Sequence, residues 1–563
     1  MRFAGSALAV CLALSFPAAA AYPEAVRGTG GAVASAEREA TAAGLEILQA
    51  GGNAADAAVA VALALAVVHP QAGNLGGGGF AVVRFGEKAA ALDFREAAPS
   101  RIRAADYLDG DGAPVPERSR VGPLAAGVPG TPAGLEALHR RFGRLPWRRV
   151  VRPAVILARE GFTVSPRLAA AIARHRALLE RFPESAAWLL PGGAPPRAGS
   201  RMRNPELAAV LEAYARGGAD AIARGPVATA VERISDRYGG VLAAADLAAY
   251  RPVWRDPVRF TVAGWRVASM PLPSSGGLIL ASSAAMLDRL GWAGLPRFGA
   301  DRAHLLAAVW KRVYADRFRL GDPESSEAGP AQLLDPAWLR RRAASIDRRR
   351  ATPSREIAPW PGGTVPERPD TTHLSVVDAD GNAVALTTTL NGAFGCGVTV
   401  PGAGFLLNNE MDDFATAPGR PNMYGLVQGT ANAVRPGRRM LSSMSPTVAW
   451  RDAAVVALGS PGGSRIPTAV LQVLLALLTD GDPLQTAVDR PRIHHQWLPD
   501  RIDAEPDALS PETAAALAAR GWTIRTVPAL GEVHAVRRLP GGAVEAATDP
   551  RGPGWAGVTT PRR

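Results

Sequence analysis

The feature that most constrains the fold of this chain is a pair of β-rich runs joined by a short polar turn. The runs are residues 371–377 (TTHLSVV) and 383–389 (AVALTTT), and the turn between them is Asp378-Ala379-Asp380-Gly381-Asn382. An Asp-Gly pair between β-rich runs is among the strongest short-range signals of a hairpin. The sequence therefore predicts two antiparallel strands at this point of the chain.

The turn also predicts which residues of the hairpin face each other. With the Asp-Gly pair as a two-residue loop, the numbers of paired residues sum to 761. Thr372 then faces Thr389, and Thr371 faces Leu390. The residues on either side of Leu390 are Thr389 and Asn391. We therefore expect two hydroxyls and an amide to meet at the start of the hairpin.

A stretch rich in proline and glycine, residues 351–369, precedes the hairpin and indicates an extended surface linker. A threonine hydroxyl is a weak nucleophile at neutral pH and needs a base. If the bond between Asp370 and Thr371 is cut, the new α-amine, with an ordinary pKa of about 7.7–8.0, can serve as that base. The alternative is that Thr371 only begins a hairpin, because threonine favours strands.

The first 21 residues are typical of a secretory signal peptide. Arg2 is followed by an apolar run at residues 7–16 and by alanines at 18–21. The apolar run is too short to span a bilayer, so we expect a periplasmic or secreted protein without a membrane anchor. Of the two cysteines, Cys11 would leave with the signal. Cys396 would then remain alone, without an internal disulfide, and we expect it to be a small packed residue.

The net charge of +12 does not predict a nucleic-acid partner. Lys88 and Lys311 are the only lysines, so the excess is arginine scattered along the chain. The sequence lacks the basic runs interleaved with aromatics that are typical of nucleic-acid binders.

The chain length allows two to four domains or one large α/β body, and the N-terminal half contains helical runs, two short strands and further helical stretches separated by loops. Residues 34–68 are rich in alanine and interrupted at 51–53, as expected for a buried layer of helices. A glycine loop and two short strands follow, at residues 73–79, 80–85 and 91–94.

Several catalytic chemistries are excluded because their motifs are absent. The chain contains no G-x-S-x-G elbow, no H-E-x-x-H and no P-loop. Neither lysine has a serine three residues before it, which excludes the S-x-x-K class. His494 and His495 are adjacent and would point in opposite directions on a strand, so we expect no metal site there.

Four motifs stand in a fixed order along the second half of the chain: Asp370-Thr371-Thr372-His373, residues 408–414 (NNEMDDF), 441–447 (LSSMSPT) and 459–465 (GSPGGSR). Residues 69–75 (HPQAGNL) and 93–96 (DFRE) belong to the same set. Together they closely resemble the γ-glutamyltranspeptidase family. The resemblance extends from about residue 28 to the region of Asp549-Pro550-Arg551.

The resemblance implies a four-layer αββα sandwich of the N-terminal-nucleophile hydrolase type, assembled from two subunits of one precursor. Residues 1–21 would be the signal peptide, 22–370 the large subunit and 371–563 the small subunit. The expected activity is that of a γ-glutamyl transferase/hydrolase, which takes the acyl group from glutathione or a related donor through a threonine ester. Water or an amino acid or peptide would accept it, and no metal or organic cofactor is expected.

The resemblance also implies roles for individual residues. Thr371 would be the nucleophile of self-cleavage and of turnover, with Thr389 hydrogen-bonded to it. The backbone N–H groups of Gly462 and Gly463 would form the oxyanion hole. The donor's α-carboxylate would be held by Arg95, Ser442 and Ser443, the arginine through a charge-assisted pair. Its α-ammonium group would be held by Asn391, Glu410 and Asp413.

Without the resemblance, plainer interpretations of these residues remain open. Arg95-Glu96 could form a solvated turn after a strand. Glu410 and Asp413 could be turn residues or calcium ligands, and the pair Ser442-Ser443 could cap a helix.

Two other functions compete with the expected one. A cephalosporin (glutaryl) acylase on the same scaffold is opposed by the full set of ammonium-binding acids and by residues 418–425, which resemble the family's lid. An inactive exported amino-acid-binding protein is opposed by the intact nucleophile and glycine motifs.

Overall fold

The computed structural model describes residues 24–357, 371–420 and 422–560. The predicted signal peptide, the greater part of the predicted linker and Asp370 lie outside the described residues. No helix within the described ranges combines the length and the apolar character needed to cross a membrane.

Two antiparallel sheets form the centre of the molecule. Sheet I has the strand order β19 (Trp555–Val558), β2 (Ala32–Ser35), β10 (Thr371–Val377), β11 (Ala383–Thr389), β3 (Gly78–Phe85), β4 (Lys88–Phe94) and β7 (Val253–Arg255). Sheet II has the order β1 (Val26–Gly28), β18 (Val544–Ala547), β17 (His534–Arg538), β13 (Ala454–Gly459), β12 (Thr447–Arg451), β9 (Trp265–Ser269) and β8 (Val258–Val262). Strands β10 and β11 pack face to face on β13, and β10 also packs on β17.

Smaller sheets lie outside this pair. One contains β14 (Ile493–His494), β15 (Ile502–Ala504) and β16 (Ile524–Thr526), and the other pairs β5 (Phe162–Thr163) with β6 (Arg201–Met202).

The helices cover the outer faces of both sheets. Their bounds are α1 Arg38–Gln49, α2 Ala54–Val68, α3 Thr131–Phe142, α4 Trp147–Glu160, α5 Pro166–Arg174, α6 Arg176–Leu179, α7 Pro183–Leu189, α8 Pro205–Gly217, α9 Asp220–Ala223, α10 Gly225–Arg237, α11 Ala244–Ala249, α12 Gly276–Arg289, α13 Ala300–Arg317, α14 Pro330–Leu333, α15 Pro336–Ala344, α16 Ser354–Ile357, α17 Ile466–Leu478, α18 Leu484–Asp489 and α19 Pro511–Ala519. Helices α1 and α2 pack on sheet I, and α12, α17 and α18 pack on sheet II. The predicted αββα order of layers is therefore confirmed.

Alternating side chains of the hairpin explain how sheet I fits between its two neighbours. Leu374 and Val376 belong to the hydrophobic core shared with α2, whereas Val377 belongs to the core on the side of sheet II. The same alternation separates Val384 from Ala385 on β11. A strand presents successive residues to opposite faces, so this period of two buries both faces of the hairpin.

The predicted buried layer of alanine-rich helices is also confirmed. Every residue of α2 is buried, as expected for a helix that is apolar on all sides. Its first turn has a capping box. The Asn53 side chain accepts hydrogen bonds from the N–H groups of Ala55 and Asp56, and the Asp56 carboxylate accepts the N–H of Asn53.

The predicted hairpin exists, but its predicted register is wrong by one residue. Thr371 pairs with Thr389, so paired positions sum to 760 rather than 761 (371 + 389). The N–H of Asp378 donates to the carbonyl of Asn382 (3.0 Å), which leaves three residues in the loop, with Gly381 at a φ of +82°. The Asp378 carboxylate stabilises this longer loop by accepting the N–H of Asn382 (2.9 Å) and that of Ala54 (3.0 Å).

Candidate active site

The observed register places two threonine hydroxyls side by side at the open end of the hairpin. Thr371 Oγ1 and Thr389 Oγ1 are 3.3 Å apart, and both side chains are buried. Residues directly opposite in an antiparallel pair have Cβ atoms about 4.5–5.5 Å apart on the same face. The contact is therefore a direct result of strand pairing, with either oxygen able to donate.

The glycine loop at 73–79 holds the end of β11 in place. Asn74 Nδ2 donates to the carbonyl of Thr389 (2.8 Å), and the Asn74 side-chain oxygen accepts the N–H of Gly77 (3.0 Å). A Cβ on Gly77 would lie 2.1 Å from the Thr389 carbonyl oxygen, so only glycine allows this approach. The N–H of Asn391, whose φ is +72°, in turn donates to Thr389 Oγ1 (2.8 Å). The sequence indicated a glycine loop here, but not its contact with Thr389.

Gly462 and Gly463 form the turn between β13 and α17. Their φ angles are +131° and +54°, a region that strongly favours glycine. Gly463 lines the same cavity as Thr371, and a Cβ on it would lie 2.5 Å from the ring of Tyr424. The structure thus brings this turn to the hydroxyl pair.

Arg95 follows the last residue of β4 and is completely buried. Its Nη1 donates to Glu410, its Nη2 to Asp413 Oδ2 (2.5 Å) and its Nε to the carbonyl of Met440 (3.3 Å). Glu96, also buried, has an oxygen 3.7 Å from Arg95 Nη1. These contacts exclude the interpretations of a solvated turn at Arg95-Glu96 and of calcium ligands at Glu410 and Asp413.

Burial and charge oppose each other in this cluster. Burial acts to lower the pKa of the Arg95 guanidinium, but Glu410, Asp413 and Glu96 together hold it above its ordinary value. Burial raises the pKa of both Glu410 and Asp413, although Arg95 acts to lower it. Burial also raises the pKa of Glu96 to about 7, again against the effect of Arg95. Within the described part of the chain, both oxygens of Glu96 and Oε2 of Glu410 have no hydrogen-bond partner.

The serine pair lies in a loop before β12 and does not cap a helix. The carbonyl of Ser442 accepts hydrogen bonds from the N–H (2.9 Å) and the hydroxyl (2.8 Å) of Ser275, while its own hydroxyl accepts the N–H of Met444 (3.1 Å). The hydroxyl of Ser443 is buried and has no hydrogen-bond partner among the described residues.

The predicted residues meet at one small cavity. Its volume is about 20 Å³, enough for roughly one water molecule. All ten predicted site residues except Gly462 line it, and sequence reasoning missed five others: Arg317, Tyr424, Leu426, Met444 and Ile466.

Of residues 418–425, predicted to resemble a lid, Tyr424 lines this cavity and Asn422 contacts a residue of its wall, while Pro421 is outside the described residues. The Tyr424 hydroxyl donates to the carbonyl of Asn391 (2.7 Å), and Asn422 Nδ2 donates to Asp413 Oδ1 (3.0 Å). The position of Tyr424 within the lid motif was the one sequence signal that could have identified it.

The remaining candidates for chemistry lie elsewhere. Cys396 is buried in the core, as predicted, and burial raises the pKa of its thiol to about 12. His494 contacts Thr468 and Gln496, whereas His495 accepts the N–H of Trp497. In the described ranges, no group of three or more His, Cys, Asp or Glu side chains is arranged to hold a metal ion.

The chain matches the family model of γ-glutamyltranspeptidase over residues 40–559. It is 42% identical over 531 residues to the glutathione hydrolase proenzyme of Escherichia coli (strain K12), covering 93% of this chain and 91% of that protein. It is 35% identical over 531 residues to the acylase ACY 1 proenzyme of Pseudomonas sp. (strain SE83), covering 92% of both. Its structure is similar to that of cephalosporin acylase from Bacillus halodurans, with a TM-score of 0.83 and 26% sequence identity. The match covers 98% of this chain and 99% of the acylase chain.

The raised pKa of Glu96 predicts a pH-dependent contribution to folding. Between the ordinary value of 4.5 and the folded value of about 7, the folded chain keeps a proton on Glu96 that the unfolded chain has lost. This stabilisation is fully present below pH 4.5 and is lost as the pH rises through 7. The free energy of unfolding of Glu96→Gln, relative to that of the parent, should therefore rise by up to roughly 3 kcal/mol as the pH increases from about 5 to 8.

Denaturant unfolding of the two proteins across that pH range measures the difference, with Thr371→Ala added to both so that each should remain a single chain. Glu46→Gln is the control for the loss of one carboxylate, because Glu46 is exposed and lies outside the charged cluster. A difference between Glu96→Gln and the parent that does not change with pH would contradict the prediction.

Proposed function

The chain belongs to the γ-glutamyltranspeptidase family, and we propose that Thr371 and the residues around it carry out that family's reaction. The protein is a γ-glutamyl transferase/hydrolase with an N-terminal threonine nucleophile. Its donors are γ-glutamyl amides such as glutathione, and we propose that water, amino acids or short peptides accept the acyl group.

One observation carries this proposal. A pair of hydroxyls and a cluster of guanidinium and carboxyl groups line the same small cavity. A γ-glutamyl donor has a reactive carbonyl at one end and a zwitterionic α-carbon at the other. The cavity therefore offers a nucleophile for one end and charged partners for the other, which is the requirement for catalysis by positioning.

We propose that the first reaction is self-cleavage. Thr371 Oγ1 attacks the carbonyl carbon of residue 370, and the C–N bond breaks to give an ester and a free α-amine. Water then hydrolyses the ester, which leaves a carboxylate at residue 370 and restores the hydroxyl. Thr389, 3.3 Å away, supports the reacting oxygen. The products are residues 22–370 and 371–563.

Turnover uses the same oxygen with a new base. The α-amine of Thr371 takes the hydroxyl proton as Oγ1 attacks the γ-carbonyl of the donor. The N–H groups of Gly462 and Gly463 stabilise the tetrahedral oxyanion, and the positive φ angles of this turn explain why glycines are present. The amine of the donor leaves with a proton. Water or an acceptor amine then attacks the ester carbonyl and takes the γ-glutamyl group, and its proton returns to Thr371 Oγ1.

The charged residues orient the donor. Arg95, Ser442 and Ser443 hold the α-carboxylate, and Asn391, Glu410 and Asp413 hold the α-ammonium group. The partner-free atoms of Ser443 and Glu410 support this assignment, because a buried polar group without a partner is costly until a ligand satisfies it. Residues 1–21 direct the precursor to the periplasm or the cell exterior.

A cephalosporin or glutaryl acylase is the second candidate, favoured by the acylase relative and the similar acylase structure. A glutaryl group has no α-amine, so it leaves Glu410 and Asp413 without a cationic partner from the donor. Their retention beside Arg95 favours the γ-glutamyl donor.

Self-cleavage predicts two chains, the second beginning Thr-Thr-His. Thr371→Ala should remain a single chain because it has no attacking oxygen, whereas Thr371→Ser keeps the hydroxyl and should still be cut. A denaturing gel with N-terminal sequencing measures this. Cleavage at another bond, or efficient processing of the alanine variant, would rule out the mechanism.

Arg95 contacts Glu410 and Asp413 with separate nitrogens, which one ammonium group cannot reproduce. Arg95→Lys should therefore lower kcat/KM for a γ-glutamyl anilide roughly ten- to a hundredfold. A value within twofold of the parent would remove Arg95 from the site.

Asp413 separates the two donor classes. Asp413→Asn should lower kcat/KM for a γ-glutamyl anilide severely, since a charged partner of the ammonium is lost, and should leave self-cleavage intact. It should harm a glutaryl anilide less, because that donor has CH₂ at the matching position. Equal losses for both donors, or a parent that prefers glutaryl, would contradict the assignment.

A further inference from the structure

The wall of the active-site cavity contains a second buried guanidinium, at a position that the sequence motifs do not include. Arg317 is the last residue of α13, its exposed fraction is 3%, and it lines the cavity together with Arg95, Ser442 and Ser443. Within the described residues, no carboxylate lies within 4 Å of it to form an ion pair.

Arg317 makes few hydrogen bonds for a buried arginine. Its Nε donates to the Ser275 hydroxyl (3.0 Å) and its Nη1 to the side-chain oxygen of Gln428 (3.4 Å). A guanidinium has five N–H groups. Arg312, on the same helix and also buried, donates from all three nitrogens to Ser345, Ala308 and Thr352. Arg312 thus has a partner for every nitrogen and does not line the active-site cavity, whereas Arg317 has fewer partners and lines it.

The first arginine of the site has little capacity left for an anion. Each nitrogen of Arg95 already has a partner, and two of those partners are the carboxyl groups of Glu410 and Asp413. A carboxylate that approached Arg95 alone would also approach these two groups. A second cation on the serine side of the cavity would offset that repulsion.

We propose that Arg317 binds the α-carboxylate of the donor, on the serine side of the cavity, and so helps to determine donor specificity. This inference rests on the proposed function. Two guanidinium groups and two carboxyl groups then line the pocket, which matches the carboxylate and the ammonium of a zwitterion.

Two neighbours of Arg317 link it to other residues of the donor site. Ser275, which accepts from Arg317, donates to the carbonyl of Ser442 (2.8 Å). Gln428 donates to the carbonyl of Asp413 (2.8 Å). Burial lowers the pKa of Arg317 to about 10, against the effect of Asp413, so the group remains a cation at neutral pH.

Two donors that differ only in the α-carboxylate test this inference. They are γ-glutamyl-p-nitroanilide and 4-aminobutanoyl-p-nitroanilide, which keeps the amine and lacks the carboxylate. Arg317→Met should lower kcat/KM for the first donor roughly ten- to a hundredfold, mainly through KM, and change it less than twofold for the second. Competitive inhibition by L-glutamate and by 4-aminobutanoate gives the same comparison if the second donor turns over slowly.

Arg312→Met is the matched control, and its kcat/KM for each of the two donors should stay within twofold of the parent's. Arg317→Gln is the second variant if Arg317→Met does not fold or mature. Equal losses for both donors would show that Arg317 only positions its neighbours and would overturn the inference. A parent without activity on the γ-glutamyl anilide would instead contradict the proposed function.

Discussion

The pairing of β10 with β11 is the interaction on which the rest of the site depends. Both strands lie inside sheet I, with β2 beside β10 and β3 beside β11. Strand β3 pairs with the whole length of β11, and β2 pairs with β10 from Leu374 to Val377. The hairpin therefore cannot slip along the sheet without moving apolar side chains to the wrong face. The hydroxyl of Thr371 is thus held by a ladder of backbone hydrogen bonds and does not depend on a flexible loop.

The elements that could be predicted from the sequence are those with a strong local pattern. The alanine-rich composition of α2 and the β-rich runs of the hairpin each identify their own structure. The register of the hairpin was not predicted in this way, because the Asp-Gly pair indicated a two-residue loop, whereas the Asp378 carboxylate closes a three-residue loop on Asn382 and also accepts the N–H of Ala54, 324 residues away. A turn that looks sufficient by itself is altered by a helix from the other half of the chain.

The charged cluster could not be predicted from local sequence patterns either. Arg95 and Glu410 are 315 residues apart, and a family resemblance, not any local pattern, placed them in one site. Arg317 was missed because it ends a helix whose sequence suggests only packing. Its relevance comes from the number of its hydrogen bonds and from the cavity that it faces, and neither can be read from neighbouring residues.

The strand order of the two sheets has a consequence for how the mature protein can be made. In sheet I, β2 lies between β19 and β10, so a segment before residue 370 is enclosed by two segments after it. In sheet II, the strands β18, β17, β13 and β12 are likewise flanked by β1 and β9. Neither product of a cut before Thr371 would contain all the strands of sheet I or of sheet II, so neither could form one of these two sheets by itself. In the proposed self-cleavage, the peptide bond before Thr371 would keep the two halves together while they fold, because it reduces the entropy cost of bringing their strands into register. After such a cut, the strands of the two chains would remain interleaved. Separated chains would regain this arrangement only slowly, so the stability of the cut molecule would be kinetic.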